Sequence, residues 1–419
     1  MHVFPVRSVN QVETKISLRN AMHRRLHLFA GLLPAFLASC DPVNQQEPRG
    51  RDLELTLVTD TMYSIGASAQ MTEYMSKVAS LGFDGRGNLH LLDLDRYRVA
   101  TWDNRGQRVR SFGNRGEGPH EFRVPRFAFA LHGGKVVVGD IGHASLIVFG
   151  PRGQHLRNVR MPTSRGRATP GSRSVLAGNR LVGIDDYWMK RPPLTSARIP
   201  VFSYSLAEDS VETSLFYEAW RAPPDQRGRA MMPRVRLAGF SDGRVAVADS
   251  VGYRVKILSE TGELENVIER PIHPLPMTPM AMEAERAREK ARLTERDISR
   301  GLRDLAAVAG ISVSDVDTRQ LIADHYKSVE DKQFSDQIPV IRSIAVDWDG
   351  RLWVTRSNEI GADGPIDIIE ADGRYVGTLS DNRTPDAFGP GGLLAYVDDH
   401  ELGTQGVYVV RVSSITRAR

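Results

Sequence analysis

The chain has 419 residues, of which 41% are apolar and 25% charged, with 37 Gly, 23 Pro and a formal net charge of +4. This is an ordinary globular composition, rich in turns, and long enough for several domains or one repeat array. With a single cysteine in the chain, no fold held together by disulfides can be built from it.

The positive charge sits at the front. Met22-His23-Arg24-Arg25 opens a basic segment, followed by the apolar run LHLFAGLLPAFL at 26–37 and then Ala38-Ser39-Cys40. A basic region, a short apolar stretch and small residues before a cut describe a secretory signal peptide over 1–39, with Met22 as an alternative start. The run is too short to span a bilayer as a helix. Leu37-Ala38-Ser39-Cys40 resembles a bacterial lipobox, which implies that Cys40 is lipidated and becomes the first residue of an exported chain. That chain would be anchored in the cell membrane or outer membrane, with its domain facing the periplasm or the exterior. Cleavage there removes five basic residues (Arg7, Lys15, Arg19, Arg24, Arg25) and one acidic (Glu13), taking the net charge from +4 to zero. A nucleic-acid partner needs a basic excess, so none is expected.

Residues 40–52, polar and broken by Pro42 and Pro48, read as a flexible tether. From 53 onward the chain repeats. Residues 53–58 alternate as a strand. Then LHLL at 89–92, VVVG at 136–139, VAVA at 245–248 and LWVT at 352–355 each follow a turn pair: Asp84-Gly85, Gly133-Gly134, Asp242-Gly243 and Asp349-Gly350. Asp93 and Gly106, Asp140 and Gly153, and Asp249 and Gly262 are all 13 residues apart. Matched offsets with short strands and a period near 45 residues are the signature of propeller blades. Units near 81–122, 126–165, 172–217, 235–271, 339–380 and 385–418 predict an all-β, six-bladed β-propeller, closed by pairing 53–58 with 407–412. The segments Asp84-Gly-Arg-Gly-Asn-Leu-His-Leu-Leu-Asp93, Arg98-Val99 and Gly113-Asn-Arg-Gly116-Glu-Gly118-Pro119 resemble the six-bladed NHL-type β-propeller family. The likeness is good over 80–165, fair over 235–271 and 340–380, and looser elsewhere.

One segment, about 272–337, interrupts the array between the fourth and fifth blades. Residues 283–308 read as a helix, with Ile298, Leu302, Leu305 and Ala309 forming an apolar stripe. Ser312 or Ser314 would cap a second helix running to Tyr326. Such a segment is either a charged hairpin on the rim or a lid or partner-docking arm over one mouth.

Candidate chemistry is sparse. Asp93, Asp140 and Asp249 recur at one repeat position, which suits a turn-fixing role better than catalysis. The Gly-rich 113–119 stretch lacks the Lys and Ser/Thr of a phosphate loop. None of the eight histidines beyond Cys40 forms a His-x-x-x-His pair, and no Gly-x-Ser-x-Gly elbow occurs. Asp185 and Asp398 are the acids kept as metal candidates, with calcium the ion their oxygens would suit. Tyr187, Trp188 and His400 are kept as binding candidates. No cofactor is predicted. The leading expectation is a membrane-anchored binding module for a small ligand or envelope protein. The alternative is a metal-dependent hydrolase or lyase, lactonase-like, which related propellers imply, with its site in the central channel.

Overall fold

The structure is a computed structural model and describes residues 52–66, 75, 77–161, 170–171, 173–184, 198–205, 211–292, 294–309, 317–380, 383–400 and 404–418. Cys40, Asp185, Tyr187, Trp188, Ser312 and Ser314 therefore lie outside the described residues.

A five-residue turn, repeated down the chain, decides where strands end. Its first side chain accepts the backbone N–H groups two and four residues on, and a glycine in the fourth place takes the positive φ. Asp84 accepts from Arg86 and Asn88 at 2.9 and 3.0 Å, with Gly87 at φ 78°. Asp103 accepts from Arg105 and Gln107, both at 2.9 Å, with Gly106 at φ 76°. Asp347 and Ser259 make the same pair of bonds ahead of Gly350 and Gly262. Only glycine enters that region without steric penalty, so the motif fixes a tight hairpin.

Between these turns the chain builds antiparallel meanders. The first sheet is β2 to β5 (Val78–Phe83, Leu89–Asp93, Arg98–Trp102, Arg108–Phe112), preceded by β1 (Glu54–Ile65). The second is β6 to β9 (Pro125–Ala130, Val136–Asp140, Ser145–Phe149, His155–Arg160). The third is β10 to β13 (Val175–Ala177, Arg180–Gly183, Arg198–Ser205, Glu212–Trp220), and the fourth is β14 to β17 (Arg236–Gly239, Val245–Ala248, Arg254–Leu258, Leu264–Glu269). Two short strands, β18 (Leu275–Pro276) and β19 (Gln337–Ile338), pair at the base of a helical segment. The last sheet is eight-stranded. It joins β20 to β23 (Ile341–Val346, Leu352–Ser357, Asp363–Ile369, Tyr375–Leu379) with β24 to β26 (Ala387–Gly389, Leu393–Asp399, Gln405–Arg417) through β1.

β1 is the joint. It runs antiparallel to β26, from Leu55 opposite Arg417 to Ile65 opposite Val407, and parallel to β23 through Glu54–Thr378 and Leu55–Leu379. The first and last strands do pair, but not as expected: residues 55–58 lie opposite 414–417, and 407–412 lie opposite 59–65, because β1 runs on to Ile65. Asp52, read from sequence as tether, is ion-paired to Arg270 at 2.9 Å and Arg356 at 2.5 Å and so belongs to the fold.

Apolar clusters sit between consecutive sheets. Leu92 and Val99 of the first sheet pack with Val138 and Ile147 of the second; Val137 and Leu146 pack with Leu181 and Tyr204 of the third. The series continues through the fourth sheet and both halves of the last, and returns to the start where Ala395 and Val409 meet Leu89 and Leu91. First strands lie against first strands, β2 beside β6 and β24, β14 beside β10 and β20. The fold is all-β and propeller-like, its sheets arranged around a channel lined by those first strands.

Three helices, α1 (Pro279–Ala291), α2 (Glu295–Ala309) and α3 (Thr318–Glu330), follow β18. The single helix expected over 283–308 is divided because Thr294 starts a new one. Its hydroxyl accepts from Asp297 N at 3.1 Å while Asp297 Oδ2 accepts from Thr294 N at 3.3 Å, a reciprocal cap. The third helix is capped by Asp317, which accepts from Arg319 N and Gln320 N. Ile298 of the expected stripe is buried, while the Leu305 and Ala309 side chains lie outside those described.

Candidate functional site

The repeated aspartates hold backbone. Asp140, fully buried, accepts from the N–H groups of Arg123, Val124 and Gly142 at 2.7, 2.9 and 2.9 Å, tying the entry of β6 to the end of β7. Asp249 accepts from Trp220 N at 2.8 Å and from Lys256 Nζ at 2.7 Å. Asp93 is bound more loosely, 3.4 Å from Arg96 N, and burial pushes its carboxyl up. Asp398 is held by Arg383 at 2.7 Å, and the His400 ring packs against Gly406, the cross-strand partner of Asp398. Among the described residues, no three His, Cys, Asp or Glu side chains are grouped to hold a metal.

One arrangement has the connectivity of a catalytic triad. Thr101 Oγ1 lies 3.0 Å from His90 Nδ1, and His90 Nε2 lies 3.2 Å from Asp84 Oδ2. All three are buried, Thr101 completely, so no substrate carbonyl could reach the hydroxyl. It is an internal polar network, each member satisfied by the next.

The two ends of the channel differ. At one end the β6–β7 and β20–β21 turns, from the second and last sheets, touch: the His132 and Trp348 rings meet with centroids 4.2 Å apart, tilted by 41°, and Trp348 Nε1 donates to Phe388 O at 2.6 Å. The helices lie across the other end. Arg300 of α2 donates to Asp95 in the β3–β4 turn at 2.9 Å, and Asp304 takes Arg126 of β6 at 3.1 Å. From α1, Arg288 reaches Ile360 O in the β21–β22 turn at 2.7 Å. The returning segment bonds Ala230 ahead of β14 through Gln333 and Ser335. This arm thus touches the first and second sheets, the last sheet and the approach to the fourth, bridging the mouth.

Beneath it is a cavity of about 250 Å³. Met231, Met232, Arg234 and Arg236 enter β14 along one wall; Glu285 and Arg292 come from α1; Ile341, Arg342, Ser343 and Ser357 come from β20 and β21. Met231 sits at φ 60°, a left-handed conformation rare for a side chain of its size and typical of functional positions. Most buried arginines of this protein are matched with acids. Arg270 and Arg356 share Asp367 and Asp52, and these partners raise the Arg270 guanidinium despite its burial. Around the cavity the balance fails. Glu285 is engaged by Arg288 at 2.9 Å and Asp363 by Arg342 at 3.2 Å. The guanidinium groups of Arg234, Arg236 and Arg292 make no hydrogen bond or ion pair among the described residues. Burial, then the charges of Arg234, Arg342, Arg173 and Arg292, pull the Arg236 guanidinium down to about 10. Arg234 is lowered as well, by burial and then by Arg173 and Arg292, with Glu285 and Glu289 opposing. Sequence reading missed this group, since its members are scattered and no local pattern joins them.

No protein-family model and no curated protein matches the chain. Solved structures do. A member of the DUF4221 family from Bacteroides vulgatus superposes with a TM-score of 0.51 at 12% identity, over 88% of this chain and 100% of that one. A gluconolactonase from Xanthomonas campestris gives 0.39 at 12%, over 87% and 99%, and streptogramin B lyase gives 0.37 at 11%, over 86% and 100%. At 12% identity the likeness to the DUF4221 structure is one of fold. Among the described residues, no helix is long and apolar enough to cross a membrane.

Proposed function

We propose that the protein is an exported, lipid-anchored six-bladed propeller that acts as a binding module, receiving its ligand at the mouth beneath the helical arm. The blades are the four four-stranded sheets and the two halves of the eight-stranded one, with the arm inserted between the fourth and fifth. The observation that carries the reading is the covered mouth: an arm latched to three sheets over a polar cavity, with the far end stopped by His132 and Trp348. Pockets that are concave, largely pre-formed and lined by a few convergent polar groups are where small ligands bind. Anchoring rests on the sequence around Cys40, whose acyl chains would supply the two-signal attachment needed for stable membrane residence.

Two measurements test this reading. Membrane fractionation of the wild type and Cys40→Ser should find the variant released; retention of the variant would end the anchor. Native mass spectrometry of the chain purified from its own membranes should show a small molecule retained at one per chain. Stoichiometric metal together with turnover of lactone or lyase substrates would replace this reading with a metal-dependent hydrolase or lyase working in the channel.

A further inference from the structure

Resting on the reading of the mouth as the ligand site, we propose that the cavity takes a small organic dianion, a phosphate monoester or short dicarboxylate, which clamps the arm onto the propeller. Three observations support it. First, the charges do not close: Arg234, Arg236 and Arg292 face one space while both nearby carboxylates, Glu285 and Asp363, already have arginine partners. Guanidinium groups left together repel one another, most strongly at the half-buried Arg236 and less at the exposed Arg234 and Arg292, and a planar oxyanion is what their forked donors match. The three unpaired guanidiniums carry three positive charges, so an anion of two charges offsets far more of their repulsion than one of a single charge. Second, the size is limited. A cavity of about 250 Å³ has room for roughly ten heavy atoms, judged against the benzene-sized molecule that an engineered cavity of about 150 Å³ accepts. The Met231, Met232 and Ile341 side chains offer an apolar wall for a short carbon skeleton. Third, the donors come from two bodies. Arg292 stands at the C-terminal end of α1, whereas Arg236 and Arg342 stand on β14 and β20. An anion held by both sides adds a link to the direct bonds between arm and sheets, and without one the same charges work against those bonds.

The test uses the full chain in detergent with succinate, inorganic phosphate and acetate at matched ionic strength, read by thermal melting and by hydrogen exchange over the arm. Succinate or phosphate should raise the melting temperature and slow exchange across 279–309, with acetate at least tenfold weaker. Whichever dianion binds more tightly identifies the headgroup. Arg236→Met should lose at least tenfold in dianion affinity and, with no ligand present, melt above the wild type, because a repelling charge has gone. Arg292→Met, on the exposed end of α1, serves as a second variant with the same expected loss. If neither dianion binds, if both variants respond as the wild type does, or if ligand-free Arg236→Met melts lower, the proposal is overturned. A neutral molecule retained in the cavity would overturn it too, yet leave the mouth as the binding site.

Discussion

Replacing Asp84 by Asn should remove a stabilisation that depends on acidity in a defined way. The Asp84 carboxylate takes the N–H groups of Arg86 and Asn88, the Asn88 side-chain amide at 2.8 Å, and lies 3.2 Å from His90 Nε2. Burial alone would raise its pKa; the hydrogen bonds from His90, Asn88 and Arg86 outweigh it and hold the carboxyl at about 2. A folded-state value below the ordinary carboxylate range means that the charge stabilises the fold above pH ~4 and that this contribution fades as pH falls towards 2. Nearly two units at about 1.4 kcal/mol each give roughly 2 kcal/mol. Asn cannot carry the charge, and its amide nitrogen would face two donors. Urea unfolding of wild type and variant from pH 6 to pH 2 measures the difference. It should be about 2 kcal/mol at the upper end and shrink towards the lower. A constant difference across the range would refute the linkage, and no difference at pH 6 would refute the network itself.

Three further substitutions probe other parts. Gly262→Ala meets both a φ of 89° and a carbonyl, since a Cβ there would lie 2.0 Å from Phe216 O; a loss of at least about 3 kcal/mol in unfolding free energy, seen as a lower denaturation midpoint, is expected, and a wild-type midpoint would contradict the turn assignment. Lys256→Met strands Asp249, which is 2% exposed, at a penalty of about 3–5 kcal/mol. Adding Asp249→Asn should recover part of that, and failure of the double change to recover any would argue against a coupled pair. Arg300→Ala removes the bonds to Asp95 and Asp297, and amide exchange in α2 should rise about tenfold with the rest of the fold unaltered; unchanged exchange would mean that the arm is latched elsewhere.

What could be read from sequence was what neighbouring residues decide. The Asp-x-x-Gly turns at 84–87, 103–106 and 347–350 carry their own hydrogen bonds, so the strands between them and the propeller-like layout were visible without tertiary knowledge. The break at Thr294 was equally local, a Thr and an Asp three apart, but the strong helical composition of 283–308 masked it. The arginine cavity was not visible at all. Arg236, Arg292 and Arg342 lie on three separate elements and look in sequence like ordinary solvated charges; only the closing of the mouth makes them neighbours. Asp52 was misplaced for the same reason, its partners Arg270 and Arg356 being supplied from far along the chain.

The pairing of β1 with β26 has a consequence for how the protein is made. Each of the first four sheets is cut from one continuous stretch of chain and can form as soon as that stretch is available. The last cannot, because β1 is the earliest described strand and its long antiparallel partner is the latest. Loop closure over so much chain is slow compared with hairpin formation, so this step comes at the end. Until 405–417 arrives, β1 and β25 each present an open row of backbone donors and acceptors, the template on which foreign strands add. A chain cut short before β26 keeps nearly all of its core and still cannot hide those edges. Such a truncated chain is expected to be adhesive and open to proteases, so this last pairing would separate whole molecules from shortened ones.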